Sequence, residues 1–128
     1  MADSIKSNIR SHCVGTTAVV YASDYLNKLT GERVERECRK QLDSGARALV
    51  IDFSDTELVN SIGISILLGI IDIAEKSGAL VVFSDVNNET VQLFEMLGLT
   101  RHVALARDEQ EALHNLSTPP TQSQAIGH

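Results

Sequence analysis

The chain has 128 residues, a net charge of −6 and no Trp, a length that suits one domain with a core of its own. The acidic balance weighs against binding to a nucleic-acid phosphate backbone, and the scarcity of aromatics weighs against base stacking. Met1-Ala-Asp-Ser-Ile-Lys6 carries no apolar signal region and the segment 62–74 is too short to span a bilayer, so the expected location is cytoplasmic, with no membrane partner.

In chain order, residues 5–13 alternate loosely and predict an edge strand. Gly15-Thr16 marks a turn, and residues 17–22 predict a second strand paired with the first. Residues 23–29 read as a connecting loop, with Thr30 as the cap of a helix over 31–44. In that helix Val34, Cys38 and Leu42 make a narrow apolar stripe, and Glu32–Arg36 and Glu35–Arg39 are spaced as favourable pairs. Cys13 and Cys38 lie far apart without metal-ligand spacing and are expected to be reduced thiols; no metal or cofactor is expected.

Ala48 to Phe53 is nearly all apolar, as in a strand covered on both faces. The acidic loop 54–57 follows, and then a helix from about Ser61 to Lys76 that is apolar nearly all round and must be largely buried. Gly63 and Gly69 disfavour a helix by up to ~1 kcal/mol each, so close packing is expected at both. Residues 79–83 predict another buried strand. Asn87-Asn88-Glu89 opens a helix that ends at Gly98-Leu99, His102–Ala106 is a last strand, and Asp108 to Glu111 begins a final helix. Residues 1–116 form the expected domain, and 117–128 are expected to be a disordered tail.

The order ββαβαβαβα defines an α/β domain with a mostly parallel sheet and an antiparallel N-terminal edge strand. Right-handed crossovers put the loops after strands 17–22, 48–53 and 79–83 on one edge, the edge that open α/β sheets use for binding. Asp24, Asn27, Asp55, Asn60, Ser61, Ser84 and Asp85 gather there. Ser61 falls at a helix N-terminus, where a serine caps the helix, holds an anion or carries a phosphate. No basic residue lies close by in sequence to support a free anion, which leaves capping and phosphorylation. No histidine is placed as a base for Ser61, so catalysis is not expected. A receiver-type acidic pocket built from Asp52, Asp55, Asp72 and Asp85 is a rival reading, but no Lys follows Lys76 to complete it.

From about residue 9 to residue 116 the chain resembles the STAS domain, the fold of bacterial anti-sigma factor antagonists (anti-anti-sigma factors). The resemblance lies in the strand Val50-Ile51-Asp52-Phe53 and in Asn60-Ser61-Ile62-Gly63, which opens an apolar helix as the family's Asp-Ser-x-Gly does. It continues in Gly78 to Phe83 and in Val91 to Leu99. Asn60 stands where the family often carries Asp, and the family's Gly-x-Leu-Asp loop is here Asp24-Tyr25-Leu26-Asn27. The resemblance implies a partner switch. The antagonist binds an anti-sigma factor that is also a serine kinase, phosphorylation of Ser61 turns it off, and a serine phosphatase restores it. The implied partner surface comprises Asp24, Asn27, Asp55, Asn60, Ser61, Ile62, Gly63, Ser84 and Asp85, with no nucleic acid involved. The alternative is a STAS module that is never phosphorylated and binds a small molecule or serves as a scaffold in a signalling or transport assembly.

Overall fold

A computed structural model of the chain describes residues 9–117. Strand β1 (Ser11–Val14) pairs antiparallel with β2 (Thr17–Tyr21) through the two-residue turn Gly15-Thr16, where Gly15 takes φ +61°. The expected first strand, 5–13, is thus shifted toward the turn, and its residues 5–8 lie outside the described residues. Three parallel strands complete the sheet: β4 (Ala48–Asp52), β6 (Leu80–Ser84) and β7 (Ala104–Ala106), in the order β1-β2-β4-β6-β7. The central strand β4 is buried at every position, which is why its sequence shows no alternation.

Between the strands run helices α1 (Lys28–Asp43), α2 (Ser61–Lys76) and α3 (Asn88–Met96), and α4 (Glu109–Ser117) follows β7. Val34 and Cys38 of α1, Ile64, Leu67, Ile70 and Ile71 of α2, and Phe94 of α3 pack with Ala18, Val20, Leu49, Ile51, Val81 and Phe83 of the sheet in the main core. The alternate sheet residues Val19, Val50, Val82 and Ala106 face the other way, onto Ala112 of α4. Among the described residues, three helices therefore cover one face and a single short helix covers the other.

The structure corrects several sequence expectations. Helix α1 begins three residues early: Asn27, not Thr30, is its N-cap, and Thr30 completes a capping box from the third helical position. Glu32 pairs with Lys28 at 3.2 Å instead of Arg36, whereas Glu35–Arg39 forms as expected. Gly63 is closely packed but Gly69 is not, for a β-carbon built there would meet nothing within 4 Å. His102 closes a 3₁₀ turn (Leu99–Arg101), so the last strand starts at Ala104.

Two further strands went unseen in the sequence. β3 (Tyr25–Leu26), inside the expected loop 23–29, and β5 (Leu58–Val59), between the expected loop 54–57 and the helix, pair in parallel as a separate two-stranded sheet. Two residues are too few to display a period.

Candidate functional site

Tyr21, Asp52, Ser84 and Ala106 are register partners across the sheet and mark its C-terminal edge. Asp52 is buried there and satisfied: Ser84 Oγ donates to Oδ2 at 2.7 Å, and the amide and hydroxyl of Ser54 donate to Oδ1. This fixes the start of the loop that leads to α2. Thr56 Oγ1 then donates to the Ser23 carbonyl at 2.7 Å, and the amides of Glu57 and Leu58 donate to the Asp24 carbonyl. The loops after β2 and β4 are thereby laced together.

The small sheet extends the lacing to two helix N-termini. Leu26 and Val59 are register partners, and the residue after each, Asn27 and Asn60, caps α1 and α2 respectively. Asn60 Oδ1 accepts from the Gly63 amide at 2.8 Å, its own amide donates to the Leu26 carbonyl at 3.0 Å, and its Nδ2 lies 3.4 Å from the Tyr25 hydroxyl. A β-carbon at Gly63 would stand 2.4 Å from the Leu26 carbonyl oxygen, so glycine is what lets α2 approach β3 this closely. Neither α1 nor α2 has an acid in its first turn, whereas α3 and α4 carry Glu89 and Glu109 there. The positive ends of both dipoles are left without a compensating charge from their own first turns.

Ser61 is the first residue of α2. Its side chain is exposed, and the capping bond belongs to Asn60. Among the described residues the Ser61 hydroxyl has no hydrogen-bond partner; only its carbonyl is engaged, by Ser65 Oγ at 3.2 Å. Capping by Ser61 is therefore corrected. Asn-Ser offers two competent caps in succession, and the chain uses the first.

Asp24, Asn27, Asn60, Ser61, Ile62 and Gly63 are brought together by the small sheet. Asp55 is exposed on the adjoining loop and forms an ion pair with Arg10 at 3.8 Å. Ser84 is wholly buried against Asp52, so its side chain offers no surface to a partner. Asp85 is exposed in a left-handed conformation, φ +58°, farther along the sheet edge, where its amide donates to Ala106. Burial, with Asp52 and Asp108 nearby, holds its carboxyl above the usual range. Sequence reasoning missed Tyr25 and Leu58, exposed apolar residues opposite each other in the small sheet. The signal was the pair of short motifs Asp-Tyr-Leu-Asn and Glu-Leu-Val-Asn. His12 and His102 lie elsewhere: His12 Nε2 is 2.8 Å from Glu109 and His102 Nδ1 is 3.1 Å from Glu75. Among the described residues no helix is long and apolar enough to cross a membrane.

The fold and rim define an α/β protein with an unengaged serine on the first turn of a central helix. The family model for the STAS domain matches residues 2–112. The chain belongs to the STAS domain family. Among solved structures it is similar to the anti-sigma factor antagonist SpoIIAA in its unphosphorylated form, with a TM-score of 0.71 and 15% identity over 87% of this chain and 99% of that one. The phosphorylated form of the Bacillus protein SpoIIAA matches with a TM-score of 0.68 and 17% identity over 84% of this chain and 98% of that one. RsbS of Moorella thermoacetica, solved as a serine-to-glutamate variant, matches with a TM-score of 0.76 and 24% identity over 87% and 96%. An anti-sigma factor antagonist from Mycobacterium paratuberculosis matches with a TM-score of 0.72 and 22% identity over 87% and 94%. At these identities the likeness carries the fold.

Proposed function

We propose that this protein is a cytoplasmic anti-sigma factor antagonist, switched by phosphorylation of Ser61. In the unphosphorylated state it binds an anti-sigma factor with serine kinase activity through the rim that carries Asp24, Asn27, Asp55, Asn60, Ile62 and Asp85, and so frees a sigma factor. The kinase transfers the γ-phosphoryl group of ATP to Ser61 Oγ, the hydroxyl proton leaves to a base of the kinase, and ADP departs. A serine phosphatase hydrolyses the ester and restores binding. The protein is the substrate and the switch, and contributes no catalytic residue.

The observation that carries this reading is the unengaged, exposed hydroxyl of Ser61 beside a cap that belongs to Asn60. A serine with no part in the fold is free to be modified without cost to the fold. A phosphate there adds about −1.5 to −2 charges at pH 7. The helix dipole tolerates that charge, and the neutral Asn60 repels it less than an Asp would. A partner docked over the rim meets the same charge as an unmatched, strongly hydrated group, which opposes binding.

The test is phosphorylation by purified anti-sigma factor kinases with ATP, read by intact mass and peptide mapping. The expected result is one phosphate on Ser61 and none on Ser61→Ala. No phosphate on Ser61 with any such kinase contradicts the reading and favours a STAS module that works without phosphorylation.

A further inference from the structure

The small β3–β5 sheet is held by more bonds than two pairs of residues need, and its outward side chains remain exposed. Thr30 Oγ1 donates to the Tyr25 carbonyl at 2.6 Å, the Tyr25 amide donates to Asp24 Oδ1 at 2.8 Å, and Asn60 reaches the Tyr25 hydroxyl. Leu26 and Val59 point inward and are buried. Their neighbours Tyr25 and Leu58 point outward and remain 39% and 58% exposed. Ile62, one turn away at the start of α2, is 46% exposed. Two-residue strands have no stability of their own, so this framework fixes exposed apolar groups beside Ser61.

We infer that Tyr25 and Leu58 are the affinity- and specificity-determining anchors of the rim. They would seat in an apolar pocket of a partner protein whose border carries Lys or Arg. The inference rests on the reading of the rim as a docking surface. The pair is a register pair, so both side chains leave the sheet side by side and present one contiguous apolar projection. A tyrosine has only two side-chain torsions to fix and so loses little freedom on docking, which helps make tyrosine common among residues that dominate interfaces. An acid precedes each anchor: Asp24 precedes Tyr25 and Glu57 precedes Leu58. Among the described residues neither acid is in a salt bridge, and the chain as a whole carries −6. Basic groups on the partner complement these acids and speed its approach. The exposed Leu80 follows Ala79 and has no such acid directly before it in sequence.

The test has two arms. In the first, Tyr25→Ser, Tyr25→Phe, Leu58→Ser and, as a control, Leu80→Ser are titrated against the anti-sigma factor kinase that phosphorylates Ser61. Tyr25→Ser and Leu58→Ser are expected to weaken binding by roughly 30-fold or more, the size of an anchor's loss, whereas Tyr25→Phe and Leu80→Ser stay within about threefold of the parent. All three positions are solvent-exposed, and an unchanged circular dichroism spectrum and melting temperature verify the fold. Parent-like affinity for Tyr25→Ser and Leu58→Ser overturns the anchors and leaves the phosphorylation reading standing. In the second arm, used if no kinase modifies Ser61, benzoylphenylalanine replaces Tyr25 or Leu80 in living cells and cross-linked peptides are sequenced. A Lys- or Arg-bordered apolar peptide captured from position 25 alone, by a protein whose binding Leu58→Ser abolishes, upholds the anchors although the phosphorylation reading has failed. Capture that is absent, or equal from both positions, overturns them.

Discussion

Asn60 and Ser61 are adjacent, and either side chain can cap a helix; the backbone decides between them. Asn60 has the extended conformation of a cap, φ −94° and ψ 177°, and its side chain receives the Gly63 amide. Replacing it with alanine leaves that amide without its partner and is expected to cost ~1 kcal/mol. Ser61→Ala is expected to change stability by less than ~0.5 kcal/mol. Urea unfolding of the two variants checks the assignment, and the reverse order of costs would restore Ser61 as the cap. The two glycines of α2 divide in the same way. Gly63→Ala forces a β-carbon to 2.4 Å from the Leu26 carbonyl and should destabilise by ~1–3 kcal/mol despite alanine's better helix propensity. Gly69→Ala meets open space and should stabilise by up to ~1 kcal/mol. Both glycines look alike in the sequence, since a packing reason resides in the neighbour and not in the residue.

At the scale of elements, the long strands and helices were legible because their burial is periodic or continuous over enough residues. Strands over 48–53 and 79–83 were readable to within a residue or so at each end. The segments that build the rim were not. β3 and β5 are two residues each, and the start of α1 turned on which of Asn27 and Thr30 caps it. Helix α4 illustrates a different limit: its contacts come from residues remote in sequence. Glu109 accepts a hydrogen bond from the Tyr21 hydroxyl and lies 2.8 Å from His12 Nε2, which ties α4 to the β1–β2 hairpin, while the Arg10 guanidinium sits 4.4 Å from the Tyr21 ring centre. Burial and the Glu109 carboxylate push the Tyr21 phenol from 10.0 up to about 12. The folded state therefore holds the phenolic proton more tightly than the unfolded chain. Its contribution to stability is complete below pH 10.0 and is lost as pH rises toward about 12. Ultraviolet titration of tyrosinate should show this late step, and Tyr21→Phe should remove it. Glu109→Gln should move it to lower pH and raise hydrogen exchange along α4. An unmoved step in Glu109→Gln would break the proposed tie between helix and hairpin.

For the molecule as a whole, the order of elements and the right-handed crossovers suffice to place the loops of β2, β4 and β6 on one edge. They could not say which of the rim residues are exposed. Ser84 faces inward because Asp52, buried on the central strand, needs a donor for each carboxylate oxygen. The surface that remains is organised around Ser61, on a framework in which two helix N-termini and two loops share one set of hydrogen bonds. A negative charge at Ser61 should leave that framework intact. Ser61→Asp is expected to melt at or slightly above the parent temperature, because an acid in the first turn of a helix is worth about 0.3–1 kcal/mol.

The central claim is that charge at Ser61 controls docking without disturbing the fold. Calorimetric titration of the parent protein, Ser61→Ala and Ser61→Asp against the anti-sigma factor kinase tests it most directly. The account predicts parent-like affinity for Ser61→Ala and at least tenfold weaker binding for Ser61→Asp, a difference of about 1.4 kcal/mol or more. Equal affinities for the two variants would contradict it.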